Sequence, residues 1–182
     1  YKVRYMKITF KTVVLLSTVF TLTACLGMPK SVTPVGDFEL TNYLGKWYEI
    51  ARLDHSFEQG LTQVTAEYSL RDDGGVKVIN RGFNSESQQW KEAEGKAYFV
   101  DAKNQGYLKV SFFGPFYGSY VVFELERSNY DYAFVSGPNN EYLWLLARTP
   151  TVSNNVIEKF KTISKERGFN TDELIFVEQP QS

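Results

Sequence analysis

The segment Leu44-Gly45-Lys46-Trp47-Tyr48-Glu49-Ile50 decides the fold of this chain. Gly45 precedes Trp47 with one residue between them, and large side chains alternate along the residues that follow. A glycine in a strand pattern marks a place where the backbone bends or passes close to another group, and a tryptophan can fill one end of a sheet. The segment therefore predicts a first long strand that runs to about Leu53, with a structural role for Trp47.

Seven further segments have the composition of strands. They alternate apolar and polar residues with a period of two, or they are rich in β-branched and aromatic residues. They are 64–70, 76–81, 93–99, 108–112, 119–125, 132–136 and 141–148. The connections between them are short, as in the glycine-rich hairpin turn at 71–75 and the turn at 137–140. Short connections favour pairing of neighbouring strands and a closed up-and-down barrel, which leaves no free sheet edge.

The residues after the last barrel strand predict one helix. Pro150 ends the sheet, Ser153 is a suitable N-cap, and the helix is predicted to continue to Arg167. The apolar stripe of Val156, Phe160 and Ile163 fits a helix that lies on the outside of the barrel. Residues 175–177 are predicted to add a final short strand.

Two downstream motifs occur with Gly45 and Trp47 at the spacing of a known family. Ser128-Asn129-Tyr130 and Arg148, near the end of the last barrel strand, complete a pattern that resembles the lipocalins, which have Thr-Asp-Tyr at the former position. The resemblance extends from Phe38 to Val177 and is strongest to the bacterial outer-membrane lipocalins and the apolipoprotein D-like branch. It implies an all-β fold: an eight-stranded antiparallel up-and-down barrel with a C-terminal α-helix packed outside. It also implies that Trp47 closes the bottom of the barrel and that Arg148 packs across it, a cation on an aromatic face.

The N-terminal residues predict export and lipidation. Residues 1–24 are interpreted as an upstream extension and a lipoprotein signal peptide, with a start at Met6, a charged region and a short apolar run from Val13 to Phe20. Leu22-Thr23-Ala24-Cys25 resembles the lipobox of bacterial lipoproteins, which implies acylation of Cys25 and a membrane anchor of several acyl chains. Leu26 follows the cysteine in place of aspartate, which points to the outer membrane of a Gram-negative bacterium. Residues 25–37 are predicted to be a lipidated tether, and residues 38–182 the lipocalin domain.

The composition excludes several classes of function. The net charge is -1 with no broad basic region, so nucleic-acid binding is not predicted. Cys25 is the only cysteine and His55 the only histidine, so no disulfide, metal site or cofactor is predicted. The 14 Phe and 12 Tyr residues can instead supply both a core and the lining of a cavity.

The inner faces of the predicted strands indicate an apolar chamber for a small molecule. The residues predicted to bind its ligand are Val64, Ala66, Tyr68, Val78, Asn80, Ala97, Phe99, Leu108, Val110, Phe112, Val121 and Phe123. The family resemblance implies a fatty acid or lysophospholipid. Candidate polar groups for its head are Arg52, His55, Asn80 and Tyr117.

Two features leave alternatives open at this stage. Alternation does not decide whether Leu143 and Leu145 or Tyr142 and Trp144 point into the barrel. The aromatic segment 112–117 is either a lid on the barrel or a surface patch that touches a membrane or a second copy in a homodimer.

The predicted function is an outer-membrane-anchored lipoprotein that stores or transports lipid at the cell envelope and is not an enzyme. The alternatives are a carrier of another apolar ligand and a structural lipoprotein with a filled barrel. An enzyme is a further alternative, because Asp54, His55 and Ser56 are adjacent. Neighbours in an extended segment point to opposite faces, however, so such a triad would not assemble locally.

Overall fold

A computed structural model describes residues 26–180, which form a closed antiparallel barrel with one helix on its outer surface. The elements in chain order are α1 Leu40–Tyr43, β1 Gly45–Arg52, β2 Leu61–Leu70, β3 Val76–Asn84, β4 Gln89–Phe99, β5 Tyr107–Ser111, β6 Gly118–Leu125, β7 Tyr132–Ser136, β8 Leu143–Ala147, α2 Asn154–Glu166, a 3₁₀ turn Thr171–Glu173 and β9 Ile175–Phe176. Each of β1 to β8 pairs with its neighbour along the chain. The pairing of β1 with β8 closes the barrel, and the predicted fold class is confirmed.

The two ends of the barrel differ because the strands run alternately up and down. We call the end that carries α1 and the turns at 71–75, 100–106 and 126–131 the base. The other end, with the loops at 53–60, 85–88, 112–117 and 137–142, is the mouth. Trp47 lies near the base, where it pairs with Ala66 on β2.

The C-terminal tail completes the seam between β1 and β2. These strands pair only in their lower halves, from Gly45 with Tyr68 to Tyr48 with Thr65. Above that point, the Gln179 side chain donates hydrogen bonds to the carbonyls of Glu49 and Val64, at 2.8 and 2.9 Å. The tail therefore provides hydrogen-bond partners for backbone groups of β1 and β2 that do not pair with each other where the strands diverge.

The protein has two apolar cores, one on each side of the barrel wall. The interior core surrounds Trp47 and includes Tyr43, Tyr68 and Leu108. The outer core lies between the wall and α2, where Phe160 is fully buried. Strands such as β6 and β7 are therefore apolar on both faces.

The predicted tether is wrong in its described part, because residues 26–37 pack along the outside of the barrel. Val32 is buried in the outer core, and the backbone N–H of Val35 donates to the carbonyl of Val122. Near the base, Arg127 donates to the carbonyl of Gly36. Cys25 and the predicted signal peptide lie outside the described residues.

None of the helices within residues 26–180 has the length and apolar character needed to cross a membrane.

Candidate functional site

The base of the barrel is sealed by Trp47 and the groups that hold it. The indole is fully buried and its Nε1–H donates to the carbonyl of Tyr43 at 2.8 Å. The Arg148 guanidinium lies 4.0 Å from the indole centroid and donates to the carbonyls of Lys46 and Asn42 at 3.0 and 2.6 Å. This is the arrangement that the family resemblance implies. Gly45 has a φ of 92°, a left-handed conformation that a side chain would strain.

The second motif closes the base from the other side. Tyr130 is buried, and its hydroxyl accepts the backbone N–H of Glu39 just before α1. The Glu126 carboxylate accepts the backbone N–H groups of Ser128 and Asn129 at 2.9 and 2.8 Å. These bonds lower the pKa of Glu126 to about 2, so the turn is held by a stable negative charge.

Three tyrosines form the floor of the barrel interior, above the groups that close the base. The Tyr120 hydroxyl lies 2.7 Å from that of Tyr43 and 2.9 Å from that of Tyr68. Burial raises the pKa of all three side chains, so they stay neutral at physiological pH. The three hydroxyl groups hydrogen-bond to one another, so their burial among apolar side chains carries only a small energetic penalty.

Most of the residues predicted to line the chamber do face the interior. Ala66, Tyr68, Val78, Ala97 and Leu108 are buried in the interior core, and Phe99, Val110 and Phe112 pack against it while partly exposed. Val64 is buried near Gly82. The other members are buried, whereas Val110, Phe112 and Trp144 keep a part of their surface accessible to solvent.

The inward placement predicted for Val121 and Phe123 is wrong. Both belong to the outer core, where the Phe123 ring stacks on Phe169 with centroids 5.9 Å apart. Val122 faces the interior instead, and the register shift of β6 between Val122 and Glu124 brings Leu125 to the same side. A bulge reverses the side of the sheet to which the following residues point.

The open question about β8 is also resolved. Leu143 and Leu145 lie in the outer core, and Trp144 faces the interior. The Trp144 Nε1–H donates to the Glu58 carboxylate at 3.1 Å. This bond joins β8 to the loop between β1 and β2 at the mouth.

Glu49, Arg52 and Glu58 form a buried ionic cluster below the mouth. Arg52 donates through Nη1 to Glu49 at 2.8 Å and through Nη2 to the backbone carbonyl of Glu58 at 2.9 Å. The two carboxyls are within hydrogen-bonding reach of each other. All three side chains are buried, and the Arg52 Nε has no partner among the described residues.

The electrostatics of this cluster favour one retained proton. Burial raises the pKa of Glu49 well above its ordinary value, and the charge of Glu58 raises it further, against the opposing effect of Arg52. Burial also raises the pKa of Glu58. One guanidinium neutralises one carboxylate, so a proton shared by the pair leaves the cluster close to neutral.

The other polar candidates are placed differently. Asn80 pairs with Ala66 on β2, and its Oδ1 is buried without a partner among the described residues. Tyr117 lies beside Lys109 and Tyr98, with the Lys109 ammonium 5.2 Å from its ring. Asn80 therefore lies on the inner face of β3, on the same side as Val76 and Val78.

His55 does not form a catalytic triad in the described structure. Its ring is sandwiched by Phe57 and Tyr142, and no hydrogen bond joins it to Asp54 or Ser56 within residues 26–180. Burial and the nearby Arg52 charge lower its pKa. A cleft of about 420 Å³ lies beside it, outside the interior core. In the described part of the chain, no three His, Cys, Asp or Glu side chains are arranged to hold a metal ion.

Sequence reasoning missed the cluster, although part of its signal was present. Glu49 follows Trp47 by two residues, so the alternation of the strand places both inside the barrel. Glu58 comes from a loop, whose fold carries no such periodic signal.

Comparison with known proteins agrees with this architecture. A lipocalin-like domain profile matches residues 38–179. The chain is 72% identical to the outer membrane lipoprotein Blc of Vibrio cholerae over 158 residues, 87% of this chain and 92% of that protein. It is 53% identical to the outer membrane lipoprotein Blc of Escherichia coli over 154 residues, 85% of this chain and 86% of that protein. Insecticyanin from the tobacco hornworm Manduca sexta has a similar fold, with a TM-score of 0.65 and 23% identity over 82% of this chain and 85% of that chain.

Proposed function

Because the chain belongs to the lipocalin family, we propose that it is an outer-membrane lipoprotein that holds a lipid in the upper half of its barrel. The ligand is a fatty acid or a lysophospholipid, and the role is storage or transport of that lipid at the cell envelope. The function is binding and not catalysis. Cys25, in its lipobox-like context, provides the acylated anchor, in keeping with the names of the bacterial relatives.

The observation that carries the lipid proposal is the apolar, solvent-reached inner surface of the upper barrel. Val110, Phe112 and Trp144 belong to the interior cluster but remain partly exposed. An acyl chain that covers such side chains gains about 0.8 kcal/mol for each methylene removed from water. A chain of ordinary length then binds without a specific hydrogen bond.

The apolar lower half of the barrel supports a direction for the ligand. The side chains there form the interior core, and Arg52 below the mouth is already engaged by the Glu49 carboxylate and the Glu58 carbonyl. The acyl tail therefore enters first, and the polar head stays toward the mouth.

The first experiment is native mass spectrometry of a soluble form that begins after Cys25 and is purified without detergent. A fatty acid or lysophospholipid at about one per chain supports the proposal. A pigment or another apolar molecule in its place identifies a different carrier. A protein that is empty and rejects added acyl chains has a filled barrel and a structural role.

A matched pair of variants locates the bound lipid. Val110→Trp adds bulk inside the chamber, and we expect it to abolish acyl-chain binding. Ile79→Trp adds the same bulk on the outer face of β3, the side that carries the ion pair of Lys77 with Glu94, and should bind normally. Equal binding by both variants would place the ligand outside the barrel.

A separate variant tests the anchor. Cys25→Ser removes the thiol that would be acylated, so the protein should leave the membrane fraction and fail to incorporate labelled palmitate. Retention of the variant in the outer membrane would contradict acylation at Cys25.

A further inference from the structure

The mouth carries three exposed phenylalanines, which we call the phenylalanine rim: Phe57, Phe113 and Phe116. Their exposed fractions are 59%, 81% and 63%. Phe57 lies in the loop after β1, and the other two lie in the loop between β5 and β6. Large apolar side chains that stay in water at one end of a protein mark a contact surface.

The loop that carries Phe113 and Phe116 differs in charge from the turns at the base. No charged residue occurs between Lys109 and Glu124, so the entire β5–β6 loop is uncharged. The turns at the base, by contrast, contain Arg71, Asp72 and Asp73 or Glu126, Arg127 and Asp131. Among the large apolar side chains that are exposed in residues 26–180, Leu70 is the one at the base.

The described part of the N-terminal segment begins at the same end, next in sequence to the proposed anchor. Val35 and Gly36 are hydrogen-bonded to groups in the lower half and at the base. From there the segment runs back along the wall to Gly27, where an added Cβ would lie 3.6 Å from the carbonyl oxygen of Pro138 in a mouth loop. Cys25 is two residues from Gly27, and consecutive Cα atoms are about 3.8 Å apart.

We propose that the mouth docks on the membrane, with the phenylalanine rim inserted among the lipids beside the acylated N-terminus. Because residues 28–35 are packed on the barrel, no tether separates the domain from the bilayer. Acyl chains and exposed aromatic side chains are both membrane-binding elements, and here they would act at one end. The chamber then opens directly onto the bilayer, and a lipid enters without crossing water. This inference rests on the proposed acylation of Cys25.

The test uses the full-length lipidated protein in vesicles of phosphatidylethanolamine and phosphatidylglycerol. An environment-sensitive fluorophore is attached at Phe116→Cys on the rim or at Asp72→Cys at the base, and brominated lipids serve as quenchers. We expect quenching and a blue shift at position 116, and a water-like spectrum without quenching at position 72. Equal, weak quenching at both positions would mean that the domain hangs free, and stronger quenching at 72 would reverse the orientation. Either result overturns the proposal.

Variants of the remaining rim residues supply the control. With the label at position 116, Phe57→Ser together with Phe113→Ser should remove most of the quenching. Leu70→Ser, which removes an exposed apolar side chain at the base, should leave it unchanged. A blue shift at 116 that resists brominated lipid and depends on protein concentration would show that a second copy covers the rim, and the proposal would be wrong.

The proposed function is tested independently in the same samples. The intact mass of the protein reports acylation of Cys25, and the extracted cargo reports lipid binding. A protein that is acylated and loaded but shows no quenching at 116 contradicts the docking alone.

Discussion

The base and the mouth of the barrel bury polar groups in opposite ways. At the base, the Trp47 indole, the Arg148 guanidinium and the Tyr130 hydroxyl each have a partner close by. At the mouth, the Arg52 guanidinium binds the Glu49 carboxylate and the backbone carbonyl of Glu58, and its Nε has no partner among residues 26–180. Buried polar groups that all have hydrogen-bond partners make their end of the barrel rigid. Where some buried polar groups lack partners, binding of a proton or a ligand can change the stability of that end. The barrel is therefore closed and stable at the base, and its mouth can respond to pH or to a ligand.

The largest effect on stability should come from removing Trp47, which seals the base. Trp47→Ala deletes a fully buried indole and the surface on which Arg148 rests, so we expect a loss of about 3–5 kcal/mol in the free energy of unfolding. Urea unfolding measures this change. The matched control is Trp90→Ala, since that indole is 48% exposed on the outer wall and should cost less than about 1 kcal/mol. Similar losses for both variants would mean that Trp47 does not anchor the base.

The mouth cluster should come next. Arg52→Met removes the cation that is paired with Glu49 and leaves two buried carboxyls, and we expect a loss of about 3 kcal/mol in the free energy of unfolding at neutral pH. The loss should shrink in acid, because protonated carboxyls need no counter-charge. Thermal unfolding at neutral and at acidic pH measures this loss of stability, and Arg81→Met, at an exposed position, is the control. A loss that does not change with pH would show that Arg52 acts through packing alone.

A smaller effect is expected for the arginine of the base. Arg148→Met removes a cation–π contact and two hydrogen bonds to backbone carbonyls, which should cost about 2 kcal/mol. Arg148→Lys should fall between this variant and the wild type, because one ammonium does not reproduce the geometry of a guanidinium. Urea unfolding distinguishes the three proteins. A stability of the Lys variant equal to that of the wild type would mean that charge alone matters at this position.

The base was easier to predict from the sequence than the mouth, for a physical reason. Gly45, Trp47 and Arg148 are joined by strand alternation and by a family motif, so their proximity follows from local pattern. Glu58 reaches the cluster from a loop, and its contact with Trp144 depends on how that loop folds. Loop geometry has no sequence period, so only Glu49 could have been placed inside in advance.

The two wrong predictions, the inward placement of Val121 and Phe123 and the tether before Phe38, both concern residues of the outer core. Val121, Val122 and Phe123 are all apolar, because β6 is covered on both faces, so alternation could not reveal which side was inside. Likewise, the Gly- and Pro-containing segment before Phe38 has the composition of a linker, but Val32 is buried in the outer core. In both cases a contact distant in the sequence overrode the local signal.

The smallest predicted effect is a difference in pH dependence, and it distinguishes the two ends most directly. The pKa of Glu49 is raised in the folded protein, so between its unfolded value, about 4.3, and its folded value the folded state holds a proton that the unfolded state has released. The unfolded state then binds fewer protons, so this carboxyl lowers the free energy of unfolding as the pH rises. Glu49→Gln keeps an acceptor for Arg52 without titrating, so the free energy of unfolding should decline less steeply above the unfolded pKa in this variant than in the wild type.

Glu126 at the base provides the opposite case: its pKa is lowered to about 2, so its contribution is present above the unfolded value and is lost in acid. Glu126→Gln should therefore destabilise the protein at neutral pH and flatten the acid side of the profile. Unfolding free energies of the wild type and both variants from about pH 2 to pH 8 check the signs, and a shift of the same sign in both variants would remove the distinction between the ends.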